Sequence, residues 1–355
     1  MVQKNVDPVV AIVKTCATSE YHPSCYDREV PKLMKKMTME EVFAVTKKIQ
    51  SQDPSYAYCH VLGHALSTVE TKKDPTKWQE VITRCPSGVC SNGCVHGAFQ
   101  ERFRTDVLTN DQIEAIKPDL AAACEPRGRW NPTGMEQATC YHALGHLLMY
   151  ITGADTPKAT GLCDDMTSRF RQVCYDGAFM QIFQPLEPED TALIRGKEQT
   201  RQSVDTFCSQ FDGERKASCI GESWPLFFQE LTQYPQFVQT FCGKLSSDLA
   251  ARCYNGIFYI LVVQMQFDLD RIRGYCGELS NDLAGRCFAN TASRLIETDW
   301  GNIQKAVDWC DEKKACLDEL VSYASYNFHK GSPEFFALCE AMPETWKTKC
   351  LSQRK

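Results

Sequence analysis

Phe241-Cys242-Gly243-Lys244-Leu245-Ser246-Ser247-Asp248-Leu249-Ala250-Ala251-Arg252-Cys253 decides how this chain is read. An apolar run ends on one cysteine, a short polar link follows, and a cysteine eleven positions further on leads into Gly256-Ile257-Phe258-Tyr259-Ile260-Leu261-Val262-Val263. The same interval of eleven separates Cys163 from Cys174, Cys208 from Cys219, Cys276 from Cys287 and Cys339 from Cys350. Each pair predicts a disulfide staple between the end of one helix and the start of the next. Aligned on their second cysteines, Cys140, Cys174, Cys219, Cys253 and Cys287 follow at steps of 34, 45, 34 and 34 residues. A step near 34 is the length of one helix-turn-helix repeat. No stretch sustains a period-two alternation, which argues against strands. The expected fold class is all-α: a disulfide-stapled helical-hairpin repeat array, α-solenoid-like or a closed toroid-like ring, with three double repeats and terminal caps.

Outward from that stretch, residues 1–50 read as an N-terminal cap, 51–300 as the array and 301–355 as a C-terminal cap. In the first cap, Cys16 and Cys25 close a loop across Tyr21-His22-Pro23, where His22 reads as a surface residue. Thr38-Met39-Glu40-Glu41 is a capping-box signature that starts a helix running to about Gln50. Inside the array, Gln184-Pro185-Leu186-Glu187-Pro188-Glu189-Asp190 reads as a solvated surface loop, and Pro126 to Gly134 as an insertion before the second histidine pair. Cys310/Cys316 adds a staple in the last cap. In repeat length and stapling the helices resemble disulfide-linked helical-hairpin repeat families. The cysteine spacing, the glycine pattern and the paired histidines depart from those families, so the resemblance implies architecture alone.

The chain holds twenty cysteines, an even number, and no Cys-x-x-Cys knuckle of the kind a zinc ribbon needs. Ten disulfides are therefore expected, with Cys85–Cys94 and Cys59–Cys90 preferred among the four closely spaced thiols. That many disulfides imply an oxidising, extracytoplasmic compartment, periplasmic or secreted. Met1-Val2-Gln3-Lys4 runs into charged residues with no apolar core, so the expectation is a chain whose export signal has been removed. Proline-free Asn-x-Ser/Thr acceptors are absent, which favours a prokaryotic exported protein. A net charge of −6, with no basic run, argues against nucleic acid as the partner. No apolar run reaches the ~18 residues of a membrane-spanning helix.

The chemistry lies in a duplicated motif. Cys59-His60-Val61-Leu62-Gly63-His64 and Cys140-Tyr141-His142-Ala143-Leu144-Gly145-His146 both contain His-x-Leu-Gly-His. Two histidines four apart share one face of a helix at a spacing that lets both imidazoles reach one ion. Each pair is followed by a related segment, Cys94-Val95-His96-Gly97-Ala98-Phe99 and Cys174-Tyr175-Asp176-Gly177-Ala178-Phe179. His96 in one copy thus answers to Asp176 in the other, an exchange that keeps a metal ligand and little else. The next double unit holds Gly221, Pro225 and Asn255 at the matching places, so the repeat itself does not need the histidines. The competing reading makes them helix-start polar residues that plug the space beside the disulfides.

The expected ligands are therefore His60, His64, His96, His142, His146 and Asp176, in one shared site or two. With the thiols in disulfides, imidazole and carboxylate remain, a donor set for a transition-metal ion: zinc or copper first, iron third. Glu101, five residues beyond His96, is the candidate proton carrier; its counterpart is Gln181. Three functions fit. The first is a metal-dependent hydrolase or oxidoreductase acting on a small molecule or peptide. The second is a metal-storage or delivery protein without turnover. The third is a disulfide-stabilised scaffold for a protein partner.

Overall fold

The structure, a computed structural model, describes residues 7–353 apart from 87–88, 91–92, 104–106, 129 and 186–187, and the side chain at 281. The Met1-Val2-Gln3-Lys4 stretch, Arg129 of the Pro126 insertion and Leu186 and Glu187 of the Gln184 loop lie outside the described residues. Among those described, all regular elements are helical, and the one β-bridge joins Arg127 to Trp130. No helix is long and apolar enough to cross a membrane, again among the described residues. The chain divides into two compact units, Met1–Arg104 and Thr105–Lys355.

The first unit comprises α1 (Pro8–Cys16), α2 (His22–Glu29), α3 (Met39–Gln52), α4 (His60–Lys73), α5 (Trp78–Thr83) and α6 (Gly93–Phe103). Its helices start where the sequence supplies caps. Asp7 accepts from the Val9 amide, and Thr38 and Glu41 form the expected capping box. Cys16–Cys25 ties α1 to α2. His22, expected at the surface, keeps a side chain 35% exposed and pairs with Asp53, whose carboxylate lies 2.7 Å from its Nδ1 and also accepts from Tyr26. Buried Leu62, Leu66, Trp78, Ile82 and Phe99 fill the space around α4, α5 and α6.

The second unit comprises α7 (Asn110–Ala123), α8 (Gly134–Ile151), α9 (Thr156–Met166), α10 (Arg171–Phe183), α11 (Pro188–Leu193), α12 (Val204–Cys208), α13 (Gly213–Glu222), α14 (Phe228–Gln233), α15 (Phe237–Cys242), α16 (Ser247–Gln264), α17 (Leu269–Gly277), α18 (Asn281–Thr298), α19 (Ile303–Cys310), α20 (Lys314–Asn327), α21 (Pro333–Ala341) and α22 (Glu344–Ser352). The repeat is a preceding helix, often short, whose terminal cysteine is bonded to a following helix. Cys163–Cys174, Cys208–Cys219, Cys242–Cys253 and Cys276–Cys287 join α9 to α10, α12 to α13, α15 to α16 and α17 to α18. Cys124–Cys140, Cys310–Cys316 and Cys339–Cys350 continue the pattern at its ends. All twenty cysteines are paired, including Cys59–Cys90 and Cys85–Cys94 as expected.

The second helices of these hairpins stack on one another. α8 packs on α10, α10 on α13, α13 on α16, α16 on α18, α18 on α20, and α20 returns to α8. Gly134, the first residue of α8, meets the Tyr326 ring on α20; a Cβ there would stand 2.5 Å from it. α8 is covered on nearly every side, with Cys140, Leu144, Leu147, Leu148, Met149 and Ile151 all buried. A helix apolar around its whole circumference is what an interior position requires.

Candidate metal centre

In the first unit α4 and α6 are fastened at their N-terminal ends. Cys59, the N-cap of α4, is bonded to Cys90, and Cys94 in the first turn of α6 is bonded to Cys85. Between the two helices there is backbone contact with no room for side chains. A Cβ on Gly63 would stand 2.9 Å from the Cys94 nitrogen. One on Gly93 would lie 2.2 Å from the His60 carbonyl oxygen, and one on Gly97 would lie 2.1 Å from that of His64. Glycine costs a helix interior ~1 kcal/mol relative to alanine; here three of them bring the histidine-bearing faces together.

That approach sets the histidines side by side. His60 and His64 sit one turn apart on α4 with their Nε2 atoms 3.1 Å from each other. The His96 ring, from α6, has its centroid 4.9 Å from that of His60 and 4.7 Å from that of His64. A nitrogen from each of the three lies within 4.8 Å of the other two. His64 and His96 are 7% and 4% exposed, while His60 is half-buried and stacks on Tyr58 at 5.8 Å. Two nitrogens bound to one zinc ion at 2.0–2.1 Å with a tetrahedral angle stand ~3.3 Å apart. The His60–His64 pair, hydrogen-bonded to each other at 3.1 Å, is already near that separation. Imidazole rotation about its broad χ2 is the freedom by which His96 closes on the same point. Glu101 lies on α6 with its side chain 10% exposed and its carboxylate 3.7 Å from Lys72 Nζ.

The second copy is the same in motif and shifted in packing. Here Gly145 and Gly177 carry the contact: a Cβ on either would lie 2.0 Å from a carbonyl oxygen, that of Cys174 or of His142 respectively. Gly177 corresponds to Gly97, yet it meets the carbonyl of the first histidine of its pair, where Gly97 meets that of the second. The second helix has therefore slid by one turn along the first. The sequence holds the cause: Gly93, which lets α6 close on the His60 carbonyl, is replaced by Val173 in α10.

The slide redistributes the site residues. His142 and His146 still face each other, with Nε2 atoms 3.2 Å apart. Behind them, His146 Nδ1 lies 2.8 Å from Gln181 Oε1. Asp176 keeps other company. Ser218 on α13 hydrogen-bonds it, Arg252 and Glu214 act on its charge, and Glu222 is raised by its proximity. Burial, against the pull of Ser218 and Arg252, pushes the Asp176 carboxyl up to about 7. Among the described residues the group of three metal-type donors within 4.8 Å of one another is His60, His64 and His96; His142, His146 and Asp176 form no such group.

Two residues the sequence did not single out border the second pair. Asp190, expected in a solvated loop, is 3% exposed and accepts a hydrogen bond from Tyr150 on α8. Burial pushes the His146 imidazole below its ordinary range, while the Gln181 bond and the Asp190 charge pull the other way. Its loop composition hid Asp190; Tyr150, two turns below His142 on the same helix, was the signal that a buried acceptor was needed. Comparison with family models, with curated proteins and with solved structures found no match for this chain.

Proposed function

We propose that the chain is a transition-metal-binding protein of an oxidising, extracytoplasmic compartment, with His60, His64 and His96 as the protein ligands. The observation that carries this reading is the convergence of three imidazoles from two helices held at backbone contact. Ten disulfides support the compartment and leave no thiolate to compete for the ion. Three protein ligands leave one position of a tetrahedral shell to water or substrate, as in catalytic sites. His60 is less enclosed than His64 and His96, which favours an exchangeable position over a sealed structural one. Zinc and copper suit this donor set best, and iron follows. Should the ion turn over a small-molecule or peptide substrate, Glu101 is the proton carrier we assign, and the reaction is hydrolytic or oxidative.

Cobalt(II) titration of the metal-free protein tests the assignment, since the visible spectrum of cobalt(II) reports coordination geometry. The wild type should take up one equivalent that depends on His60 and His64. The double variant His60→Ala/His64→Ala should lose it with its far-ultraviolet circular dichroism unchanged. Imidazole binds metal only when neutral, so affinity should fall as the solution is acidified. Metal uptake indifferent to both histidines would refute the ligand assignment. Collapse of the helical signal in the variant would show that the histidines are polar plugs.

A further inference from the structure

The second histidine pair keeps the geometry of a metal site although it has lost the third histidine. Its backbone is fixed: the His142 carbonyl abuts Gly177, and Gly145 abuts the Cys174 carbonyl, so α8, which carries both histidines, is held against α10. The two Nε2 atoms stand 3.2 Å apart, with ring planes at 70°. Two ligands on one ion at 2.0–2.1 Å stand ~2.9 Å apart at a right angle and ~3.3 Å apart at a tetrahedral one, and 3.2 Å falls between.

Gln181 then fixes which nitrogen of His146 carries the proton. Its Oε1 only accepts, so in this amide orientation the proton of His146 sits on Nδ1 and the lone pair of Nε2 is turned toward His142. Metal-binding histidines characteristically donate their other ring N–H to such an acceptor. Gln181 itself is 1% exposed, and its Nε2 finds no acceptor among the described residues, which leaves a buried donor for an oxygen that enters beside the pair. Asp190, buried next to His146 and Tyr150, supplies negative charge that offsets an incoming cation.

We propose that His142 and His146 form a second transition-metal site in the second unit, oriented by Gln181 and built from two protein ligands only. With Asp176 engaged by Ser218, the remaining positions go to exogenous oxygen donors, water or a small carboxylate. This site is therefore more open than the first and weaker. It stands on residues of the second unit alone and does not depend on the reading of His60, His64 and His96.

Zinc alone, titrated into metal-free full-length protein against a chromophoric chelator, tests it. The wild type should bind two equivalents of unequal affinity. His142→Ala/His146→Ala should lose the weaker and keep the tighter, and His60→Ala/His64→Ala should do the reverse. His142 is half-buried, so the single variant His142→Ala keeps the test valid if the double variant fails to fold; it too should lose the weaker equivalent. Gln181→Leu should weaken that equivalent by ~10-fold or more and leave the tighter one unchanged. A wild type that binds one equivalent, or a weaker equivalent that survives His142→Ala, overturns the second site. Loss of the His60-dependent equivalent alone would instead overturn the first.

Discussion

Glycines that admit backbone contact, and carboxyls placed by the slide between the two copies, set the surroundings of both histidine pairs. Gly97→Ala or Gly177→Ala puts a methyl group within 2.1 Å or 2.0 Å of a carbonyl oxygen that cannot move aside. Either should destabilise the fold by about 1–3 kcal/mol or more in denaturant unfolding. Gly161, in α9, has nothing within 4 Å of its would-be Cβ, so Gly161→Ala should be neutral or stabilising by up to ~1 kcal/mol. Asp176 offers a test in pH. Its folded pKa, about 7, lies above the ordinary 3.8, so the native state holds the proton more tightly than the unfolded chain. The resulting stabilisation is complete below 3.8 and is lost as pH rises through about 7. Asp176→Asn should therefore raise the melting temperature at pH 8 and flatten its decline between pH 4 and 8. An unchanged pH profile would show that Asp176 is not held protonated. The candidate ligands were legible in the sequence because two of them recur at i and i+4 in both copies. The separation of Asp176 from its histidines was not, because it follows from one residue, Val173 in place of Gly93, acting through helix packing.

Helices and staples were the most legible level, since their causes are local. Thr38-Met39-Glu40-Glu41 gave the start of α3 directly, and the interval of eleven gave the hairpin disulfides. A helix end and the next helix start can be bridged at that separation only when the two run as neighbours. Thr133 caps α8, the helix that carries His142 and His146: its hydroxyl accepts from the Glu136 amide while the Glu136 carboxylate accepts from the Thr133 amide. Thr133→Ala should cost ~1 kcal/mol in unfolding free energy. Because the frayed turn lies two turns ahead of the histidines, zinc affinity at the second site should change far less than stability. A variant that loses metal with its stability intact would contradict this separation of roles. The short α11 was not legible, whereas the end of α12 at Cys208 was marked by its staple. Asp190 in α11 shows the consequence: the proline and acid content that suggests solvent surrounds a buried carboxylate bound to Tyr150.

For the molecule as a whole, duplication supplied the inventory and tertiary packing decided its use. Periodicity alone indicated an all-α repeat. The return of α20 onto α8 depends on contacts between residues far apart in sequence, such as Gly134 with Tyr326, which no local pattern announces. Each compact unit holds one copy of the motif, and each copy closes around its own glycines. The first unit gathers three imidazoles and the second two, so one duplicated motif has two unlike arrangements. The most direct test of the central claim is anomalous diffraction from crystals of the untagged protein loaded with zinc, recorded on both sides of the zinc absorption edge. An anomalous peak is expected ~2.0–2.1 Å from a nitrogen of each of His60, His64 and His96. A zinc-loaded crystal with no peak between those three rings would contradict it.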